Sequence, residues 1–305
     1  MKKIPLIVIA GPTASGKTSL SIQLAKRLDG EIVSADSMQI YKYMNIGTAK
    51  PTDEEKEGIP HHMMDFLEPS VNFSVADYCE MAHGVIADIH ARKKMPIIVG
   101  GTGLYIDSLV NNVDFGETDT SHEIRAELEE VAKRCGNEAV HQMLAEIDPE
   151  TAAKYHPNNV RRIIRAIEFY RVTGQTISEH AEEEKQSRYD AVWFCIDWDR
   201  EVLYDRINRR VDIMAADGLI DEARMLLSGY SKDCTAMQSI GYKELCDYFD
   251  GKQSLDEALE QIKMNSRRYA KRQITWFKRN KEIHWLKYSD NIVDTAMDII
   301  QQHSS

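Results

Sequence analysis

Residues 4–18 read IPLIVIAGPTASGKT, and this stretch decides the fold. Residues 4–10 form an apolar run, typical of a strand that is buried on both faces of a parallel sheet. Residues 11–18 match the pattern G-x4-G-K-[ST], in which a glycine-rich turn joins a strand to a helix and binds phosphate. The pattern consists of Gly11, Pro12, Thr13, Ala14, Ser15, Gly16, Lys17 and Thr18. Its glycines let backbone N–H groups curl around an anion, Lys17 adds a positive charge, and Thr18 can hold Mg²⁺. We predict that this loop binds a di- or triphosphate.

The rest of the chain alternates between strand and helix patterns at its two ends. We predict helices at 17–28, 74–92, 200–216, 219–228, 236–249 and 254–280, with strands at 32–35, 96–99 and 191–196 and a short apolar segment at 283–286. Such alternation is typical of α/β proteins with a parallel sheet. The middle of the chain shows helical patterns only. We therefore predict a P-loop NTPase-like parallel sheet flanked by helices, formed by residues 1–114 and 186–305, with a helical insertion domain at 115–185.

Composition excludes several classes of protein. The chain has 305 residues, of which 43% are hydrophobic and 29% charged, as in ordinary globular proteins. No apolar run approaches the roughly 18 to 20 residues that span a bilayer, so we expect no integral membrane protein. The five cysteines are scattered and no CxxC pair occurs, which favours a reducing cytoplasm.

The positive charge is concentrated near the end of an acidic chain. The net charge is −11, yet residues 263–281 hold eight Lys or Arg and no Asp or Glu. Such unopposed charge is unfavourable unless a polyanion binds it. The interleaved Tyr269, Trp276 and Phe277 could stack on bases or pack in the core, and for the last two we favour the core.

Further candidate site residues follow predicted strands. Asp36 ends the strand at 32–35, where side chains of a parallel sheet face the ligand crevice. It could bind a metal, accept a hydrogen bond, act as a general base, or simply cap the next turn. The segment 100–103, GGTG, could let its backbone approach a ligand or could be a tight turn. Arginines at 206, 209 and 210, and at 161, 162 and 165, could clamp phosphates or form solvated faces.

Several blocks together resemble one known family. They are GPTASGKT at 11–18, DSMQIY at 36–41, GTAKP at 47–51, HHMMDFLEP at 61–69, GGTGLY at 100–105 and KRQITWFK at 271–278. In this order they resemble the bacterial tRNA dimethylallyltransferases, also called tRNA isopentenyltransferases, from about residue 4 to 287. Many NTPases share the phosphate loop, whereas the blocks at 36–41 and 271–278 are far more specific.

The resemblance implies an activity and a set of roles. The family transfers a dimethylallyl group from dimethylallyl diphosphate to the exocyclic N6 amine of the adenosine 3′ to a tRNA anticodon, assisted by Mg²⁺. It implies that Asp36 is the general base, that Thr102 lies near the reacting amine, and that Arg210 neutralises the leaving diphosphate held by residues 11–18. It also implies contacts with the anticodon stem-loop of tRNA, made by Asp36, Ser37, Met38, Gln39, Thr102, Arg125, Arg161, Arg162, Ile163, Ile164, Arg165, Lys271, Arg272, Gln273, Trp276 and Lys278. The stretch 237–243 matches a further region of this kind.

Three alternatives remain open on the residues alone. A P-loop kinase for a small metabolite would use ATP, but it leaves the basic segment 263–281 unexplained. An adenylate isopentenyltransferase would prenylate free AMP and would not need the arginines of the insertion. An RNA-binding protein switched by a nucleoside triphosphate would not need Asp36. We expect a monomer, because a tRNA-sized substrate suits one.

Overall fold

The computed structural model describes residues 3–111, 122–182 and 187–303. The strands are β1 (Ile4–Ala10), β2 (Gly30–Ser34), β3 (His61–His62), β4 (Met95–Gly100), β5 (Tyr189–Asp197) and β6 (Ile283–Lys287). The first helices are α1 (Lys17–Leu28), α2 (Asp53–Lys56), α3 (Val75–Ala91) and α4 (Gly103–Val110). They are followed by α5 (His122–Cys135), α6 (Asn137–Ile147), α7 (Pro149–Lys154), α8 (Val160–Thr173) and α9 (Ile177–Glu182). The last are α10 (Arg200–Ala216), α11 (Leu219–Gly229), α12 (Lys243–Phe249), α13 (Leu255–Phe277) and α14 (Ile292–His303).

All six strands form one parallel sheet in the order β3-β2-β4-β1-β5-β6. The apolar strand β1 lies inside the sheet, where Ile7 pairs with Ile97 of β4 and Val192 of β5. Its carboxyl end, like those of β2 and β4, meets the same edge of the sheet. The predicted fold class is confirmed, and this edge brings the ends of three strands together.

Local signals in the sequence explain where several helices begin. Ser74 caps α3 and Ser254 caps α13, each through a capping box with an acidic residue three positions later. Asp148 caps α7, and Pro149 occupies its first turn. The predicted helix at 236–249 is wrong in its first half, because α12 begins only at Lys243.

The described residues fall into two compact units, 3–111 with 187–303 and 122–182. In the first unit, α1 and α14 cover one side of the sheet around a core that includes Leu24, Phe194 and Ile300. The second unit is entirely helical in its regular structure and packs around Leu128, Leu144 and Ile167. The predicted boundaries at 114/115 and 185/186 lie outside the described residues. In the part of the chain that the structure describes, no helix is long and apolar enough to cross a membrane.

Candidate active site

The phosphate loop leaves the end of β1 and enters α1. Gly16 has φ +96°, a left-handed conformation that L side chains rarely adopt, and its residue position is the N-cap of α1. No side chain of the described residues caps this helix, and its first turn contains no acidic residue. The free N–H groups and the positive end of the helix dipole therefore face the loop and favour an anion.

Three side chains hold the phosphate loop in place by contacting its backbone. Arg206 Nε donates to Ala14 O at 2.9 Å, and Trp198 Nε1 donates to Ser15 O at 2.8 Å. On the other side, Thr13 N donates to Gln273 Oε1 at 3.1 Å. The loop is thus tethered to α10, to the end of β5 and to α13. Its shape is fixed before any ligand binds, which lowers the entropic cost of binding.

Two partly buried cations lie beside this loop. Lys17 Nζ donates to Pro12 O at 2.7 Å, and Arg210 Nη1 donates to Thr13 Oγ1 at 3.3 Å. Burial and, to a lesser extent, the nearby Arg210 lower the pKa of Lys17 to about 8, although Asp36 acts in the opposite direction. Burial also lowers the pKa of Arg210. Neither cation forms a salt bridge within the described residues, so an anion bound here would relieve an unfavourable charge arrangement.

Asp36 and Thr102 lie just beyond the carboxyl ends of the neighbouring strands β2 and β4. Asp36 Oδ1 accepts hydrogen bonds from Met38 N at 2.9 Å and Gln39 N at 3.3 Å, so the carboxylate does cap its own turn. Thr102 Oγ1 accepts from Ser37 N at 3.0 Å. The carboxylate and the threonine hydroxyl are thereby held at neighbouring points of one sheet edge. The capping role of Asp36 leaves a role in chemistry open, because its second oxygen is not used by the turn.

The glycines of the segment 100–103 are required by close approach. A Cβ on Gly100 would lie 2.1 Å from Ala35 O. A Cβ on Gly101 would lie 2.2 Å from Gln273 Nε2, and one on Gly103 would lie 2.3 Å from Trp276 Cδ1. Helix α13 therefore packs directly against this turn. The GGTG segment is therefore a tight turn, and the approach of its backbone to a ligand stays a prediction.

A pocket of about 370 Å³ joins these groups. Its polar side contains Thr13, Lys17, Thr18, Asp36 and Arg210, and its apolar lining comes mainly from Ile207, Val211, Met214, Ile240 and Ile262. This volume is within the usual range for a small-molecule site. Of Arg206, Arg209 and Arg210 on α10, only Arg210 lines this pocket, while all three line a neighbouring cleft outside the phosphate loop.

Sequence reasoning missed two parts of the pocket wall. Tyr269, considered only as a base-stacking or core residue, lines the pocket, and burial and the nearby Asp36 raise its pKa to about 12. Residues 47–49 form another part of the wall. Glu222 fixes the start of this loop by accepting hydrogen bonds from the backbone N–H groups of Asn45, Ile46 and Gly47 at 2.8–3.1 Å. The GTAKP block identified this loop in the sequence, but no sequence pattern indicated that the distant Glu222 is its hydrogen-bond partner.

The predicted tRNA contacts divide into exposed and buried residues. Lys271, Arg272 and Lys278 are exposed on or just after α13, and none of them has an acidic partner among the described residues. Gln273 is only 6% exposed, and its amide contacts the phosphate loop and Gly101. Both ends of the Gln273 amide are therefore hydrogen-bonded within the protein. Phe277 is buried, as predicted for a core residue, whereas Trp276 is half-buried, packs on the GGTG segment and donates from Nε1 to Asp107 at 2.6 Å.

In the helical unit, the predicted contacts lie on α8 and α5. Arg161, Arg162 and Arg165 are exposed on α8. Ile163 and Ile164 are buried in the core of this unit, so their side chains do not lie on its surface, and a tRNA contact at these two positions stays a prediction. Their positions in the 3.6-residue period turn them inward while the arginines face outward. Arg125 pairs with the buried Glu168 at 2.8 Å.

The sheet, the phosphate loop and the facing carboxylate define a P-loop α/β protein whose pocket combines an anion site with a group able to accept a proton. The family model for IPP transferase matches residues 39–280. The chain belongs to the IPP transferase family, and the predicted family is confirmed.

Relatives and solved structures of this family match nearly the full chain. A tRNA dimethylallyltransferase of Halalkalibacterium halodurans is 48% identical over 304 residues, covering 99% of this chain and 96% of that protein. One from Acetivibrio thermocellus is 53% identical over 284 residues, covering 92% and 91%. The crystal structure of a tRNA isopentenylpyrophosphate transferase from Bacillus halodurans has a TM-score of 0.75 at 44% identity, covering 99% and 98%. A structure of a eukaryotic dimethylallyltransferase acting on tRNA has a TM-score of 0.86 at 32% identity, covering 97% of this chain and 78% of that one.

Proposed function

We propose that the protein transfers a dimethylallyl group from dimethylallyl diphosphate to the N6 amine of the adenosine that follows a tRNA anticodon. One observation carries the proposal: Lys17 and Arg210 lie beside a phosphate loop without a salt bridge among the described residues, in the pocket that also contains the Asp36 carboxylate. The relatives named as tRNA dimethylallyltransferases support the same reaction.

The phosphate loop would hold the diphosphate of the donor. Its N–H groups, Lys17 and Arg210 supply positive charge where negative charge grows as the diphosphate leaves. The apolar side of the pocket, formed by residues such as Val211 and Met214, suits a short hydrocarbon chain. Donor and pocket therefore match in both their charged and their apolar parts.

Mg²⁺ would assist at Thr18. No group of three His, Cys, Asp or Glu side chains that could hold a metal occurs among the residues described. The hydroxyl oxygen of Thr18 suits Mg²⁺, which prefers oxygen ligands, keeps several waters and binds mainly through substrate phosphates. When bound, the ion neutralises charge on the diphosphate. The hydroxyl of Thr18, at the start of α1, would be its contact with the protein.

Asp36 would accept the proton of the amine. In the transfer, the bond between the allylic carbon and the diphosphate oxygen breaks, and a bond from N6 to that carbon forms. N6 then carries an extra proton, which passes to the Asp36 carboxylate. An amine of a stacked base cannot reach this pocket, so the adenosine must leave its stack. Thr102, bonded to Ser37, would lie beside the amine.

The exposed cations would bind the tRNA. Lys271, Arg272 and Lys278 lie on or just beyond α13, the helix that packs on the GGTG segment, which places positive charge near the pocket. Arg161, Arg162 and Arg165 supply a second exposed basic surface in the helical unit. We propose the anticodon stem-loop as the bound part, since the acceptor adenosine lies there. Phosphate contacts of this kind account for basic surfaces on an acidic protein.

A donor–acceptor assay tests the proposal. The protein is incubated with Mg²⁺, radiolabelled dimethylallyl diphosphate and either tRNA lacking the modification or free AMP. Label in tRNA at the adenosine beside the anticodon is the expected result. Label only in AMP would assign the chain to free-nucleotide prenylation, and hydrolysis of ATP without prenyl transfer would support a kinase. The Asp36→Asn variant, which keeps the size of the side chain, serves as the inactive control.

A further inference from the structure

Gln273 is a buried polar residue in the basic stretch of α13. Its neighbours Lys271 and Arg272 are exposed, whereas Gln273 is only 6% exposed. Buried amides are generally hydrogen-bonded, and this one is bonded at both ends. Its Oε1 accepts from Thr13 N at 3.1 Å, and its Nε2 donates to Gly101 O at 2.9 Å.

The two partners of Gln273 belong to different halves of the pocket. Thr13 is part of the phosphate loop, and its own hydroxyl contacts Arg210. Gly101 precedes Thr102, which is bonded to Ser37 beside Asp36. A single side-chain amide therefore links the loop that would hold the donor to the turn that would face the acceptor amine.

We propose that Gln273 is a positioning residue that fixes the phosphate loop against the 100–103 turn and so aligns the two reacting groups. The alignment of donor and acceptor rests on the proposed function. Reacting groups must be held within about 3–3.5 Å, and a displacement of about 1 Å can lower a rate by about 100-fold. The side chain acts through Thr13 and Gly101, to which the two ends of its amide are hydrogen-bonded.

The chemistry of the link requires an amide. A glutamine offers one acceptor and one donor, which match an N–H group on one side and a carbonyl on the other. A glutamate could accept from Thr13 but would turn a second oxygen toward Gly101 O. The spacing is also tight, because a Cβ on Gly101 would lie 2.2 Å from Gln273 Nε2.

Two variants separate positioning from RNA contact. Gln273→Met keeps the length of the side chain and loses both hydrogen bonds, and Gln273→Glu keeps only the acceptor. The matched control is Gln261→Met, at an exposed position on the same helix whose amide donates to Gln253. Three quantities are measured below the melting temperature of each variant. They are the affinity for inorganic pyrophosphate without tRNA, the affinity for tRNA, and the single-turnover rate of prenyl transfer at saturating substrates.

We expect Gln273→Met to lower the single-turnover rate by about 10- to 100-fold and pyrophosphate affinity by several-fold, with tRNA affinity within about twofold of wild type. Gln273→Glu should be at least as slow, and Gln261→Met should match wild type. A loss of tRNA affinity with an unchanged saturated rate would make Gln273 an RNA contact and overturn the proposal. So would a Gln273→Glu enzyme at the wild-type rate.

The pyrophosphate measurement keeps the two proposals apart. If wild-type protein transferred no prenyl group, the proposed function would fail. Weaker pyrophosphate binding by Gln273→Met would still support the link to the phosphate loop. Unchanged pyrophosphate binding would refute the link, whatever reaction the protein catalyses.

Discussion

The pKa of Lys17 predicts that the protein loses affinity for dimethylallyl diphosphate between pH 7 and pH 9. Burial and Arg210 lower this pKa to about 8, so about nine tenths of the lysine is charged at pH 7 and about one tenth at pH 9. Only the charged form attracts the diphosphate, and loss of a proton removes that charge. The dissociation constant should therefore rise by about tenfold over this range, with a limiting slope of one log unit per pH unit above 8.

Other groups near Lys17 keep their charge over this range. Burial raises the pKa of the Cys195 thiol to about 12, so the thiol stays neutral. The pKa of Arg210 is lowered by burial, but from an ordinary value of 12.5. The terminal phosphate of the donor has a pKa of about 6 and is already ionised at pH 7. The carboxylate of Asp36 favours the charged form of the lysine.

Calorimetry with dimethylallyl diphosphate at constant Mg²⁺, without acceptor RNA, measures the effect directly. Binding near pH 8 should also take up about half a proton, which appears as a dependence of the heat on the buffer. Lys17→Arg is the matched control, since arginine keeps its charge up to pH 12 and should flatten the profile. A wild-type affinity that stays constant from pH 7 to pH 9 would refute the reasoning that a desolvated Lys17 binds the anion.

Three further substitutions test the remaining parts of the site. Asp36→Asn should lower the single-turnover rate by about 10²- to 10⁴-fold with tRNA affinity near wild type, and an unchanged rate would exclude the general base. Replacing Lys271 and Arg272 together by alanine should weaken tRNA binding and reduce the slope of log affinity against log salt by about one per lost phosphate contact. An unaltered slope would remove both residues from the RNA surface. Glu222→Gln should destabilise the protein by about 2 kcal/mol in urea unfolding, because charged acceptors of backbone N–H groups contribute about 1.5–3 kcal/mol. Wild-type stability would show that the loop at 45–47 is held by its other contacts.

Local sequence signals predicted the frame of the site. The phosphate loop, the capping boxes at Ser74 and Ser254, and the Asp148–Pro149 start of α7 depend on residues within a few positions of one another. Such short-range chemistry can be recognised without knowing what packs against it. The strand β3, with only two residues, offers too short a pattern to be found in this way.

Long-range contacts account for what the sequence could not predict. Gln273 and Gly101 are separated by 172 positions, and the basic residues around Gln273 favoured an RNA surface over an interior bond. In α8, the family resemblance implies tRNA contacts for the whole block 161–165, in which basic and apolar residues lie side by side. Because of the 3.6-residue period of the helix, Ile163 and Ile164 of that block face the core.

The positive charges of this protein fall into two kinds with different physical consequences. Lys17 and Arg210 are desolvated beside the phosphate loop, where surrounding protein shields their attraction for an anion from salt. Lys271, Arg272 and Lys278 are exposed, so their attraction weakens as salt rises. Donor binding should consequently change little between about 50 and 200 mM salt, whereas tRNA binding should fall steeply.

The two buried cations, Lys17 and Arg210, also make the free protein less stable. For Lys17 the cost is about 3 kcal/mol, since each pKa unit corresponds to 1.36 kcal/mol. An anion that raises the pKa of Lys17 back to its ordinary value removes this cost, so the buried charge favours the anion-bound state of the protein.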